Sequence, residues 1–287
     1  MMVTSQQYLR LSTSKLKRES IETARLDSLL LMEYVLKIDR AKILANPDFI
    51  LSTKHINVLN LLLEKRSRHT PIAQITKHTE FYGRSFFVNK DVLIPRPETE
   101  TMIDHFKHLV VSDKDLLSIK DSKGFIRVAD IGTGSGAIGI TAGLEVRDVH
   151  VDLIDIDRKA LKVAQKNVAN LATNIYTIRA DLLPKNSEEY DIILSNLPYV
   201  PDDFHINLAA GHEPKLAIYG GPDGLNIYRK LFKIMEFKQH KPLYILIEAL
   251  PFSHDSLKAI AYNAGYVLKD TDDFIQIYKL RDLPIRS

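Results

Sequence analysis

The chain of 287 residues carries 39 Lys and Arg against 36 Asp and Glu, a formal charge of +3, with 45% hydrophobic and 26% charged residues. That mix belongs to a folded globular protein with one large domain or a large and a small one. It excludes disorder, collagen and coiled coil as overall readings, and the near balance of charge does not mark a nucleic-acid binder. Cysteine is absent, which excludes disulfides, thiolate metal sites and cysteine nucleophiles.

No apolar run approaches the ~18 residues of a membrane span. Residues 1–20 lack the apolar stretch of a secretory signal. Their basic, Ser/Thr-bearing character has a faint transit-peptide flavour, against which Glu19 and Glu22 stand. The expected setting is the cytosol.

Residues 1–75 hold 12 Lys and Arg against 7 Asp and Glu, and the rest 27 against 29. A small basic module therefore precedes a larger, slightly acidic one. The first reads as helices. Over 21–38, Ile21, Ala24, Leu29, Met32 and Leu36 recur with a helical period. Asp39 can cap a short helix that stops before Pro47. Ser52 can cap another, with Val58, Leu59, Leu62 and Leu63 inward. Lys65, Arg66 and Arg68 fall in its last turns, where cations suit the helix dipole, and Pro71 ends it. Residues 72–94 read as an extended segment and a hairpin, Glu80-Phe81-Tyr82-Gly83 followed by Phe86-Phe87-Val88, with Asn89-Lys90-Asp91 as its turn. The expected division is a helical domain 1–75, a β-hairpin connector 76–95 and a main domain 96–287.

Beyond Pro97, which suits a first helical position, a helix is expected to 111. Strands are expected at 126–131, 149–154, 175–180, 190–195, 243–249, 266–268 and 274–280. Helices are expected at 137–145, 157–171, 224–237 and 253–263. This alternation is the α/β pattern of a mostly parallel, seven-stranded sheet covered on both faces. Only residues 269–273 separate the last two strands. That is too short for a crossover, so the last strand is expected to be antiparallel.

Where the first strand meets its helix stands Asp130-Ile131-Gly132-Thr133-Gly134-Ser135-Gly136. Glycines let the backbone turn tightly and approach a ligand. The spacing is neither that of a dinucleotide fold nor, without a Lys, that of a P-loop. Asp155 ends the second strand, where a carboxylate can accept both hydroxyls of a ribose. Asp157 reads as the cap of the next helix. Asp181 ends the third strand, in place to accept from an adenine amino group. Three acids in register with no phosphate-binding group point to an adenosine-bearing ligand. S-adenosylmethionine fits that better than NAD.

Ser195-Asn196-Leu197-Pro198-Tyr199 follows the fourth strand, at the sheet edge where open α/β folds bind ligands. Pro198 keeps Leu197 out of the helical region and fixes its carbonyl. The Asn196 side-chain oxygen and the Leu197 carbonyl can then accept both protons of one planar NH2, with Tyr199 offering a flat face beside it. This chemistry is orientation and electrostatics rather than general-base catalysis. His105 and His108 share a helix face but lack a third ligand, so no metal is expected. Glu98 and Glu100 suit a helix N-terminus. Glu213 is placed to hold a loop over the site or to cap it.

At these residues the chain resembles the protein-(glutamine-N5) methyltransferases that act on peptide chain release factors, the PrmC or HemK family. The resemblance also rests on Arg25-Leu26-Asp27 with Leu29-Leu30-Leu31, on Pro71-Ile72-Ala73-Gln74 and on Glu80 to Gly83. Val92 to Glu100, Glu213-Pro214 and Gly220 to Leu225 complete it. It implies a Rossmann-like methyltransferase sheet in 96–287, with the helical domain docking the protein substrate. Gly132, Thr133, Gly134, Ser135, Gly136 and Asp155 would bind S-adenosylmethionine, Asp181 and Leu182 would flank its adenine, and Asn196 would touch cofactor and substrate. Asn196, Leu197, Pro198 and Tyr199 would grip the glutamine of a Gly-Gly-Gln loop in the release factor. Two departures stand out. Leu197 replaces the first proline of the family's Asn-Pro-Pro-Tyr, and Glu248-Ala249-Leu250-Pro251 replaces a glycine-containing segment. The rival readings are an adenine-N6 methyltransferase of RNA or DNA, to which Asn-Leu-Pro-Tyr is also similar, and a binding module that keeps only the fold.

Overall fold

The computed structural model describes residues 2–120, 124–171, 175–184 and 189–281. The last six residues of the expected 96–287 domain lie outside them. The chain forms two compact units, residues up to 78 with 206–212, and residues 79–205 with 213 onward.

The first unit consists of β1 (Val3–Thr4), α1 (Ser5–Arg18), α2 (Ala24–Leu36), α3 (Arg40–Ala45), β2 (Ile50–Leu51), α4 (Thr53–Ser67) and α5 (Ile72–Thr76). The sequence pattern had not revealed α1. It is polar apart from exposed Leu11 and a buried stripe of Tyr8, Leu9 and Leu16, and a capping box of Thr4 and Gln7 starts it. Asp39 and Ser52 cap their helices as expected, accepting from the Ala41 and His55 N–H groups. Val58 departs from expectation: it faces out, because the buried row runs Leu59, Leu62, Leu63 and Arg66. Arg66 is no surface cation either. It is buried and pairs with buried Asp27 at 2.7 Å, and Thr23 donates to the same carboxylate. Residues 72–76 form a helical turn rather than an extended segment, since Pro71 starts it. The 206–212 segment joins this unit through Gln74, which donates to the His212 carbonyl, and through the His212 ring, 2.9 Å from the Arg68 carbonyl.

The second unit begins with a hairpin, β3 (His78–Phe81) and β4 (Arg84–Phe87). Its turn is Tyr82-Gly83 and not Asn89-Lys90-Asp91. Both turn residues take positive φ, 51° and 69°, the geometry a two-residue hairpin requires. Asn89 to Asp91 instead make a separate Asx turn beyond β4. A 3-10 turn at Pro97–Thr99 leads into α6 (Glu100–Ser112) and α7 (Lys114–Ser118). Then follow β5 (Ile126–Ile131), α8 (Ala137–Glu145), β6 (Val149–Asp155), α9 (Arg158–Leu171), β7 (Tyr176–Arg179) and β8 (Ile192–Ser195). After them come α10 (Asn226–Phe237), β9 (Tyr244–Glu248), α11 (His254–Asn263), β10 (Tyr266–Asp272) and β11 (Ile275–Leu280).

Seven strands form one sheet in the order β10-β11-β9-β8-β5-β6-β7. β5 to β9 are parallel, and β11 runs antiparallel to both β10 and β9. β8 and β9 are buried along their whole length, as strands covered on both faces must be. Strand order reverses between β5 and β8, the switch point where such sheets open a crevice at their carboxyl ends. Register makes that crevice even. Ile131 pairs with Ile154 and with Ser195, and Ser195 pairs with Ile247. The next residue along each strand or its loop is Gly132, Asp155, Asn196 and Glu248, so these four stand in one row at the sheet edge.

Candidate active site

A cavity of about 310 Å³ opens over Gly132, Asp155 and Asn196 of that row. Gly132, Thr133, Gly134, Ser135, Asp155, Asp181, Leu182, Asn196, Leu197 and Pro198 line it. Gly136 and Tyr199, also expected at the site, are not on its wall. Gly136 is the N-cap residue of α8 at φ +83°. Tyr199 turns its hydroxyl toward Glu248 at 2.8 Å.

The glycine loop is fixed from several sides. Gly132 and Thr133 N–H donate to the Ile154 carbonyl at 2.8 and 3.0 Å. Gly132 has φ +73°, and a Cβ there would stand 2.7 Å from Leu197 Cδ2. The residue that replaces the family's proline thus fills the space the missing side chain leaves. A Cβ at Gly134 would meet only the Gly132 carbonyl at 3.9 Å, so the loop opens onto free space there. Asn167 of α9, buried and unremarked in the sequence, ties the loop to the hairpin. Its amide donates to the Ser135 and Phe87 carbonyls and its oxygen accepts from Phe87 N–H at 2.7 Å.

The acids play separate parts. Asp130 lies under the loop, fully buried, accepting from Thr133 and from the Gly139 N–H, with one oxygen unpartnered among the described residues. Burial, set against those two hydrogen bonds, pushes its carboxyl up to about 6. Asp155 accepts from Gly134 and Asp157 N–H at 3.0 and 2.8 Å, and burial raises it above the ordinary carboxylate range. Asp157 accepts from the Lys159 N–H, the capping role expected of it. Asp181 is exposed and paired with Lys230. Four carboxylates, those of Asp91, Asp155, Asp157 and Asp181, and one Lys line the cavity. Such a wall repels phosphates and suits a cation.

Two outer elements close the cavity. Glu213, buried, accepts from the Ile94 N–H at 2.9 Å and from Arg96 at 2.7 Å, which holds the 92–97 segment in the wall. Glu100 accepts from Tyr82 N–H at 2.7 Å and holds the hairpin turn. His105 lies beside Asp272 at the surface. Among the described residues no group of three His, Asp or Glu is arranged to hold a metal, and no helix is long and apolar enough to cross a membrane.

The 196–202 loop rests on the Gly220 to Leu225 block. A Cβ on Gly220 would lie 2.4 Å from the Pro198 carbonyl, and one on Gly224 2.1 Å from that of Tyr199. Only glycine permits that approach. Gly220 N–H donates to the Val200 carbonyl, and Val200 N–H to that of Ile218. Beneath the loop lies a polar cluster that the sequence did not disclose. Glu248, with no exposed surface, accepts from Thr99 at 2.6 Å as well as from Tyr199. Thr99 Oγ1 accepts from the Asn196 amide at 3.2 Å. Burial raises the Glu248 carboxyl despite the Thr99, Tyr199 and Asn196 hydrogen bonds, and burial next to Glu248 lifts the Tyr199 hydroxyl far above its ordinary value. The readable signal was one carboxylate closing an otherwise apolar strand.

Comparison with known proteins agrees with this geometry. The PrmC N-terminal domain model matches residues 7–76, and the Methyltransferase small domain model matches residues 112–213. A release factor glutamine methyltransferase of Bacillus anthracis is 37% identical over 206 residues, covering 70% of each chain. That of Clostridium acetobutylicum is 34% identical over 267 residues, covering 90% of each. Among solved structures, a methyltransferase from Pyrococcus furiosus superposes with a TM-score of 0.50 at 16% identity, over 79% of this chain and 99% of that one. The hMettl16 catalytic domain, solved with an RNA hairpin, gives 0.52 at 16%, over 77% and 82%. At such identities those two show a shared fold. The sequence relatives show more, and by them this chain, with its glycine loop, its Asn-Leu-Pro-Tyr loop and its helical leading domain, belongs to the release factor glutamine methyltransferase family.

Proposed function

We infer that the protein transfers a methyl group from S-adenosylmethionine to the side-chain amide nitrogen of the glutamine in the Gly-Gly-Gln loop of peptide chain release factors. The observation that carries this reading is the single row of Gly132, Asp155 and Asn196 at the switch point, facing one cavity. When bound, S-adenosylmethionine supplies a methyl group on a sulfonium centre. The residues present fit it: Asp155 has carboxylate capacity left for ribose hydroxyls, Gly134 fronts open space, and the acidic wall suits a cation. Gly132, Thr133, Gly134, Ser135 and Gly136 form the loop that would hold it, and Asp181 with Leu182 the adenine side.

On the substrate side, Asn196 Oδ1 and the Leu197 carbonyl accept the two amide hydrogens of the glutamine. That fixes the nitrogen's position and weakens the delocalisation of its lone pair. Pro198 stiffens the loop and Tyr199 anchors it to Glu248. Once methylated, the nitrogen gives up one proton to water. None of these residues needs to act as a base. Residues 1–75 are proposed as the docking domain, 76–95 as the connector and 96–287 as the catalytic domain. The cytosol, where release factors act, is the proposed setting, without a metal or a membrane partner.

The rival adenine-N6 activity is tested in the same experiment. The protein is incubated with methyl-labelled S-adenosylmethionine and, separately, a release factor, its Gln-to-Ala variant in the Gly-Gly-Gln loop, and ribosomal RNA. Label on the intact factor alone is expected. Label on RNA alone overturns the reading.

A further inference from the structure

The proposed chemistry requires the Asn196 carboxamide to present its oxygen, and a carboxamide has two ends of nearly equal shape. The polar cluster behind the loop settles which end points where. Glu248 as a carboxylate only accepts hydrogen bonds, so Thr99 and Tyr199 must donate their hydroxyl protons to it, at 2.6 and 2.8 Å. With that proton committed, Thr99 Oγ1 has only lone pairs left, and the Asn196 atom 3.2 Å away is the nitrogen, which donates. Oδ1 is left as the free end. The main chain of the same residue does parallel work. The Glu248 carbonyl accepts from the Tyr228 hydroxyl at 2.6 Å, and that hydroxyl oxygen accepts from the Leu197 N–H at 3.2 Å. One residue at the end of β9 therefore governs Asn196, Leu197 and Tyr199, three of the four residues of the loop.

We propose that Glu248, acting through Thr99 and through its own contact with the Asn196 amide, is the positioning residue that keeps the Asn196 side-chain oxygen turned toward the substrate amide. This rests on the reading of Asn196 as the group that accepts from the glutamine. The hydrogen bonds that hold the glycine loop and Asp155 do not run through Glu248. In Glu248→Gln the side chain gains a donor. Thr99 can then turn its proton toward Asn196, and the carboxamide can reverse and set its NH2 against the substrate NH2. Thr99→Val removes the hydroxyl step of the relay and leaves Asn196 only its direct contact with Glu248, and Thr99→Ser preserves the step.

The test compares wild type, Glu248→Gln, Thr99→Val and Thr99→Ser, each checked for folding by its melting temperature and for S-adenosylmethionine affinity by calorimetry. With a release factor as substrate, Glu248→Gln and Thr99→Val should lose roughly tenfold to a hundredfold in kcat, with cofactor affinity within twofold of wild type. Thr99→Ser should recover most of the rate. A second readout needs no turnover. In protein labelled with 15N-asparagine, the Asn196 side-chain NH2 should be protected from hydrogen exchange in wild type and Thr99→Ser, and clearly less protected in Thr99→Val. Wild-type rates in folded Glu248→Gln and Thr99→Val overturn the proposal, as does equal damage in the Ser and Val variants. If wild type itself fails to methylate the factor, the functional reading fails, while the exchange pattern still reports whether the relay orients Asn196.

Discussion

Asn196 is the residue on which the proposed chemistry turns, and its side chain sits between two demands. Its amide nitrogen is engaged by Thr99, and the residue lines the cavity. Asn196→Ala removes the acceptor without touching the contacts that shape the glycine loop, which run through Ile154, Asp155 and Asn167. The expected result is S-adenosylmethionine affinity near wild type and a loss of roughly 10²–10³ in kcat, the usual cost of deleting one preorganised polar group at the reacting atoms. Calorimetry and single-turnover kinetics on the variant check both halves. A wild-type rate would remove Asn196 from the mechanism. The sequence placed this residue correctly at the sheet edge, because an apolar run followed by Asn-Leu-Pro-Tyr marks both a strand end and a stiff loop. It did not show Thr99 or Glu248 beside it. Thr99 stands 97 positions away and Glu248 52; the pairing of β8 with β9 brings Glu248 beside Asn196, and the turn before α6 brings in Thr99.

At the scale of elements, β8 and β9 were legible because both faces are covered and they read as nearly unbroken apolar runs, whereas β5 and β6 were legible from apolar residues interrupted by single polar ones. The misread elements have local causes. In α1 the buried face of Tyr8, Leu9 and Leu16 is interrupted by Ser5 and Ser12, so its apolar period is thin among polar residues. In residues 72–76 the β-branched residues Ile72, Ile75 and Thr76 imitate a strand. The junction of β5 and α8 carries a consequence for stability. Asp130 is buried there with a carboxyl near 6, above its ordinary value of 3.8. Because the native state holds the proton more tightly than the unfolded chain, this group favours folding fully only below the unfolded value. That contribution fades as pH rises through about 6. Between about pH 4.5 and about pH 7.5 the change is about 2 kcal/mol. Asp130→Asn cannot titrate. Urea unfolding of wild type and variant, without cofactor, at the two pH values should show the variant gaining on wild type by about that amount at the higher pH. A constant difference would mean Asp130 is not shifted.

For the whole molecule, charge is divided as the chain is. The first 75 residues carry the positive excess, and the cofactor cavity in the other unit is walled by acids. In the helical unit an open groove of about 850 Å³ is lined by Arg10, Lys17, Arg18 and Arg25 above Leu9, Ile43 and Leu44, with no carboxylate on its wall among the described residues. Basic side chains beside apolar ones complement an acidic, partly apolar stretch of protein, and among the described residues no aromatic ring on which a nucleobase would stack lines the groove. If this unit docks the release factor, the groove should act on KM alone. Arg10 and Arg25 are both exposed, and Arg25 lies in the first turn of α2, where a Glu is favoured. The double variant Arg10→Glu with Arg25→Glu should therefore fold and bind S-adenosylmethionine like wild type. Its KM for the intact release factor should rise about tenfold, a coupling of about 1.4 kcal/mol. Its KM for a short Gly-Gly-Gln peptide, which lacks the rest of the factor that a docking surface would hold, should not move. Raising the salt concentration should weaken the wild type toward the variant, because exposed charges are screened over about 10 Å at 0.1 M. Equal KM values for wild type and variant on the intact factor would place docking elsewhere on the molecule.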